Sequence, residues 1–458
     1  MSRQKQRGAV ILGLAGGMLV VAGGFAGTYY TVTARHEAHA ATRGDEVGAA
    51  VEPKGDGKVS AALAAIPAQK VDLKTASGTV SVTWADLGAT VDADEVARAG
   101  TPQTAAELTA LAQRGALPIR IDMGKATAKL AEVRAKLDRA PVDAYLDLEA
   151  RAIHPDAMGR GIDAWGSLPR LEAAARQGAA SVELAEVQIP ASITQQGLGI
   201  DDISNVLGTY TTHFPPSDRD RNFNLKLAAS KLNGVVLKPG VEFSFNGTVG
   251  ERSEKEGYKI AHVITAGEMV DGLAGGTCQI STTLFGASFF AGLDIVKTSN
   301  HSRPSAYTPL GFDATVVWPD TDLKLKNPYE FPVVIHYRVA NGEAVVEVLG
   351  KKRPYDKVTF ERYVLQEDPF PTEERLDDTI AEGQTSLDQQ GLDGFQITRV
   401  RRFFKDNKQV KEEKWSVTYK PVTEYVRRGT STAPDAKTPT PREQHEMHPE
   451  QTASTMSQ

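Results

Sequence analysis

Residues 275–293 read GGTCQISTTLFGASFFAGL, and the fold of the middle of this 458-residue chain turns on how that run is read. Ile280, Leu284, Ala287 or Ser288, and Ala291 fall at helical spacing, so a helix is expected from Gln279 to Ala291 with Gly292 as its stop. Cys278, the only cysteine of the chain, stands at the first turn, after two flexible glycines. A lone thiol cannot be half of an intramolecular disulfide. At the positive end of a helix it is biased towards thiolate, the nucleophilic form. The plainer reading is a small buried side chain packed against Phe285 or Phe289.

A thiol nucleophile needs a base, and the base needs an acceptor that fixes its tautomer. His301 lies in NHS at 300–302, after the run Leu293 to Val296, and Asp313 heads DATVVW twelve residues further on. The order is similar to that of papain-like and transglutaminase-like enzymes, where the cysteine opens a helix and its partners come from later strands. Cys278, His301 and Asp313 are therefore the candidate catalytic residues. Against this, Asp313 could equally cap a turn after Gly311, and His301 could be an ordinary surface histidine. Gln279, Ser281, Thr282 and Asn300 are candidate ligand-binding residues. Their duller use is to satisfy backbone groups of the helix start and of the turn into His301.

Before this region, the N-terminus carries three positive charges within residues 2–7, and Gly8 to Ala34 then contains no charged residue. That length spans a bilayer, and the preceding basic residues predict a cytoplasmic N-terminus with the bulk of the chain extracytoplasmic. A cleaved signal peptide, cut near Ala34 or Ala40, is the competing reading. Residues 35–60 read as a tether. The formal charge of -6 is spread over mixed acids and bases, so nucleic acid is not an expected partner. The nine histidines are scattered with no metal-ligand spacing, and no metal or cofactor is expected.

The folded remainder reads as a multidomain α+β protein. A small α+β domain is expected over 61–195, with a strand from Gly78 to Trp84 and helices near Pro102 to Arg114, Gly124 to Leu137 and Pro169 to Gln177. Strands are expected at Val142 to Leu148 and Ser181 to Ile189. A second unit, 203–352, has a helix over Asn222 to Asn233 and two strands around Pro239-Gly240. It continues with a strand over Asp313 to Trp318 and a hairpin at Asn341-Gly342. One helix bearing the cysteine against antiparallel strands is its expected architecture. Residues 353–429 alternate apolar and polar as a small β-rich unit, with a turn at Asp406-Asn407. The tail, 430–458, has no apolar period and is expected to be disordered.

Within the second unit the runs LKPGVEFSFN (237–246), EGY (256–258), GGTCQISTTL (275–284), HS (301–302), GFDATV (311–316) and DLKLKNP (322–328) together resemble the VanW domain. The resemblance implies a bacterial envelope protein and no particular reaction. Around WADLG (84–88) and GID (161–163) the first domain resembles a peptidoglycan-binding domain that often precedes VanW domains. The β-rich unit resembles the G5 module of cell-wall proteins, which implies contact with N-acetylglucosamine-containing material. Two functions follow as expectations. One is a membrane-anchored protein that binds peptidoglycan or its precursors and supports wall assembly or remodelling. The alternative is a cysteine-dependent amide hydrolase or transpeptidase acting on peptidoglycan stem peptides.

Overall fold

The computed structural model describes residues 57–265, 268–439 and 453–458. The expected membrane span at 8–34 and nearly all of the tether lie outside them. Residues 57–60 belong to the helix Gly57–Ala65 rather than to the tether. Among the described residues no helix is long and apolar enough to cross a membrane.

Two compact units divide these residues. In the first, residues 57–144 and 155–194, strand Lys70–Thr75 lies between Gly78–Thr83, antiparallel, and Ser181–Glu183, parallel. Helices Met123–Leu137 and Ala164–Gln177 bury Leu130, Val133, Leu168 and Leu171 with Leu73 and Trp84. The second helix starts five residues before Pro169, because Asp163 is the cap that accepts from Gly166 N at 3.0 Å. The expected strand from Ser181 to Ile189 is broken. Its first part pairs with Asp72 to Lys74, while Glu186–Ile189 pairs with Gly159–Ile162 in another sheet. Only Tyr145–Asp147 forms a strand within the expected Val142 to Leu148. The WADLG run has a packing explanation: Trp84 is fully buried, and Gly88 adopts φ +74 where a Cβ would lie 2.8 Å from Lys125 Cβ.

The second unit, residues 145–154 and 195–458, carries the cysteine. Its central sheet is antiparallel in the order Asn205–His213, Glu343–Gly350, Val333–Ala340, Val236–Leu237. Asn341 and Gly342 both take positive φ, as the two-residue hairpin turn requires. The cysteine helix, Thr277–Phe290, lies on this sheet and is enclosed all round: every residue of it except Cys278 is buried. A helix apolar on one stripe was expected, but this one is central to the core. Close approach is enabled by Gly208, where a Cβ would stand 2.2 Å from Ala291 N, and by Gly286, where it would stand 2.4 Å from the Tyr210 ring.

Strands Val236–Leu237 and Glu242–Ser244 flank the Pro239-Gly240 turn as expected, but they join different sheets. Residues 313–318 form no strand; Thr315 N donates to Ser299 O, and only Val317 makes a bridge, with Thr321. The polar side chains of the cysteine helix occupy the partners that a ladder would have used.

The C-terminal strands Lys357–Asp368, Gly394–Lys405 and Lys408–Tyr419 form an antiparallel sheet. Phe360 and Phe403 from this sheet sit in one core cluster with Phe285, Phe289, Phe290 and Phe312. Asp406 and Asn407 supply the positive-φ turn. A further sheet has Thr372–Ala381, Glu424–Ser431 and Thr385–Gln389. The tail departs from the expected disorder: Thr455–Ser457 adds an edge strand against Thr359 to Glu361, and Met456, opposite Phe360, packs on the core.

Candidate active site

Cys278 is the second residue of its helix. The N-cap, Gly276, sits at φ +101, where a Cβ would crowd Arg221 Cγ at 3.2 Å. Thr277 Oγ1 donates to Ala274 O at 2.7 Å, and Gln279 N donates to Gly276 O at 2.9 Å. No acceptor for the Cys278 N–H is found among the described residues, as helix geometry leaves it free. The half-buried thiol donates to Val316 O at 3.5 Å, and His301 acts on it electrostatically.

His301 and Asp313 are both buried, and they are joined twice. His301 N donates to Asp313 Oδ2 at 2.7 Å, and His301 Nδ1 lies 2.5 Å from the same oxygen. Ser305 Oγ is 3.0 Å from Nδ1. With Nδ1 committed, Nε2 is the nitrogen left for the thiol. The other Asp313 oxygen, Oδ1, accepts from the Tyr419 hydroxyl, which comes from the end of the C-terminal sheet. The same hydroxyl accepts from Gly311 N at 3.0 Å. Thus the structure brings Cys278, His301 and Asp313 together in a relay and adds Tyr419 behind it.

The electrostatics follow from these contacts. Burial alone would raise the Cys278 pKa, but the neighbouring His301 and the charge of Arg252 outweigh it and hold the thiol below its ordinary value. Burial works against the imidazolium, yet Tyr307, Asp313 and Cys278 together raise His301 well above its usual value. We give most weight to Asp313, since Tyr307 is itself pushed up by burial and stays a neutral phenol. Asp313 is held down despite burial by His301 and Tyr419. Both shifts run in the direction of a thiolate paired with an imidazolium.

The four expected ligand contacts are used internally. Gln279 Oε1 accepts from Arg221 Nη2 at 2.6 Å, while Nε2 donates to Thr212 Oγ1 and His213 O. Ser281 Oγ donates to Ala314 O, and Thr282 Oγ1 accepts from Ala314 N at 3.0 Å. Asn300 Nδ2 donates to His301 O and Thr418 O, each at 2.8 Å. Ser281, Thr282 and Asn300 thereby hold the backbone around Asp313 and His301, while Gln279 ties the helix start to Arg221 and to the end of the Asn205–His213 strand. Asp322 and Asn327 are likewise spent: Asp322 accepts from Ser244 Oγ and Asn246 N, and Asn327 Nδ2 donates to Leu237 O and Phe331 O. Sequence reasoning missed Tyr419, Ser305, Arg221 and Arg252. Only Tyr258, within EGY, carried a signal. Among the described residues no group of three or more His, Cys, Asp or Glu is disposed to hold a metal ion.

Residues 220–349 match the family model described as VanW like protein, and residues 361–431 match that of the G5 domain. The chain is 33% identical over 227 residues to the uncharacterized protein YoaR of Bacillus subtilis, covering 49% of this chain and 74% of that protein. It is 32% identical over 137 residues to the vancomycin B-type resistance protein VanW of Enterococcus faecalis, covering 29% of this chain and 50% of that one. Among solved structures, the G5 domain of an IgA1 protease is similar at 22% identity, covering 17% of this chain and 98% of that chain, with a TM-score of 0.12. The HP0197-G5 crystal structure is similar at 18% identity, covering 16% and 97%, with a TM-score of 0.10. On its match to the VanW model and on the extent of its likeness to YoaR, the chain belongs to the VanW-like protein family and carries a G5 domain after the VanW-like region.

Proposed function

We propose that this protein is a cell-wall-associated acyl-transfer enzyme in which Cys278 attacks an amide carbonyl of wall peptides. The observation that carries the reading is the thiol at a helix N-terminus beside a buried His301 that is itself paired with Asp313. In the first half-reaction Sγ bonds to the carbonyl carbon and the C–N bond breaks. The departing amine takes the proton held on His301, leaving a thioester on Cys278. Water or a second amine, deprotonated by His301, then attacks the thioester and restores the thiolate. The unused N–H of Cys278 is a donor for the oxyanion of the tetrahedral intermediate. The Gln279 N–H is already bonded to Gly276 O and does not serve.

Wall peptides are proposed as substrate from the company the chain keeps: a VanW-like region, a G5 domain, and a relative named for vancomycin resistance. In this reading the first unit and the G5 domain hold the protein against peptidoglycan, and residues 8–34 anchor it in the cell membrane with the described units outside. The test is the pH dependence of Cys278 alkylation by iodoacetamide in the full-length protein, followed by digestion assays on muropeptides. Reaction with an inflection well below the free-thiol value of about 8.5, lost in His301→Ala, supports the relay. A thiol that reacts only after unfolding removes the enzyme reading and leaves a wall-binding protein.

A further inference from the structure

Several arginines of this chain find carboxylates: Arg176 pairs with Glu95 at 2.7 Å, Arg151 with Glu347 at 2.8 Å and Arg402 with Glu412 at 2.7 Å. Two arginines around Cys278 do not. Arg221, near the start of the helix Arg219–Leu232, gives Nη2 to the neutral Gln279 Oε1, while its buried Nη1 has no hydrogen-bond partner among the described residues. Arg252, beyond the short helix Phe245–Val249, gives Nη1 to Asn246 Oδ1 at 2.8 Å and Gly250 O at 3.3 Å. Its buried Nη2 is also unpartnered. A third donor is orphaned with them: the hydroxyl of Tyr258, a residue only 2% exposed, makes no hydrogen bond.

These groups lie around the thiol. Arg221 packs on Gly276 and bonds Gln279, on either side of Cys278 in the chain. Arg252 bonds Asn246, whose Nδ2 donates to Val317 O next to the Val316 carbonyl that the thiol contacts, and Tyr258 N donates to Ser253 O beside Arg252. Neither free nitrogen bonds to the sulfur, so the thiolate does not account for them. Two acids near them are spent elsewhere: Asp218 caps the Arg219–Leu232 helix by accepting from Arg221 N, and Asp322 accepts from Ser244 and Asn246. Buried cationic donors left unpaired are costly in a folded chain, and the cost is recovered only when an anion arrives.

We propose that Arg221 Nη1, Arg252 Nη2 and Tyr258 OH form a carboxylate-binding subsite beside Cys278, and that the acyl-transfer substrate carries a free carboxylate close to the carbonyl under attack. The proposal rests on the acyl-transfer reading for its substrate, while the subsite itself stands on the orphaned donors. A peptide with a free α-carboxylate near the reacting amide meets this chemistry. An amidated peptide of the same sequence does not.

The experiment compares alkylation of Cys278 by iodoacetate, which carries a carboxylate, with alkylation by the neutral iodoacetamide. The expected result is a rate ratio of iodoacetate to iodoacetamide at least about tenfold above that of free cysteine, as charge-assisted hydrogen bonds imply. The ratio should collapse towards the free-cysteine value in Arg221→Gln and Arg252→Gln and fall partway in the milder Tyr258→Phe. A ratio equal to that of free cysteine in the wild type, or one unmoved in all three variants, overturns the subsite. If neither reagent reacts with the folded protein, the acyl-transfer reading fails, and the subsite is judged separately in Cys278→Ser. There N-acetylalanine should raise the melting temperature and N-acetylalaninamide should not. Equal effects, or none, overturn it.

Discussion

The hydroxyl of Tyr419 is the last link in a chain of side chains that runs from the thiol through His301 to Asp313. Removing it in Tyr419→Phe leaves a buried carboxylate with one donor fewer, at a cost of about 1–3 kcal/mol in stability by denaturant unfolding. The Cys278 alkylation inflection should also move up, though less than in His301→Ala, because the imidazole keeps its direct partner. The relay has a sign in pH. His301 is raised in the fold, so its contribution to stability is complete below the unfolded value of about 6.5 and is lost as pH rises through the folded value. Cys278 is lowered, so its contribution is complete above about 8.5 and is lost as pH falls through its folded value. The alkylation rate should accordingly fall on acidification only when the thiolate takes a proton. Cys278, His301 and Asp313 could be picked out from sequence because a thiol, an imidazole and a carboxylate in that order are recognisable types, and the structure brings them together. Gln279, Ser281, Thr282 and Asn300 are polar near the cysteine, yet each also bonds an atom of a distant segment, from Ala314 O, 32 residues from Thr282, to Thr418 O, 118 residues from Asn300. Sequence spacing carries no trace of such pairings.

At the scale of elements, the cysteine helix is held by close packing on the Asn205–His213 strand. Thr212 and Thr283 hydroxyls meet there at 2.8 Å, and the Tyr337 hydroxyl donates to Ile280 O. Gly208 sits where the strand register shifts, with Ala287 O and Ala291 N against it. Gly208→Ala therefore has no room and should destabilise the fold by about 3 kcal/mol, read as a fall in melting temperature. Gly234→Ala makes the contrast, since no atom lies within 4 Å of its added Cβ. Its left-handed φ of +84 leaves only a backbone penalty of about 1 kcal/mol. Hairpins were legible because Asn341-Gly342 and Asp406-Asn407 accept positive φ, a local property. Residues 313–318 misled because their apolar pattern suits a strand, while the hydroxyls of Ser281 and Thr282 take the backbone of Ala314.

For the second unit as a whole, the VanW-like region and the strands after residue 357 share one core. Arg401, fully buried, donates to Phe289 O and Leu293 O at the end of the cysteine helix and pairs with Glu413. Truncation after residue 352 should therefore leave a protein that fails to show a cooperative thermal transition, whereas the whole unit should unfold in a single step in urea. A truncated fragment with an intact transition would sever the two. Their union was not legible in sequence, since the apolar positions of each β-strand look the same whichever core they enter.

Asn300 bonds to Thr418 O, Asp313 to Tyr419 and Gly311 to Arg399, so the strands near the G5 region lend three contacts to the thiol's relay. Modular proteins exchange domains by recombination, and such exchange is silent only when each module brings its own chemistry. Here a G5 domain borrowed from another protein would have to bring a tyrosine in that register, or the recipient would inherit a cysteine whose histidine has lost part of its support. The two segments are bound to travel as one heritable piece.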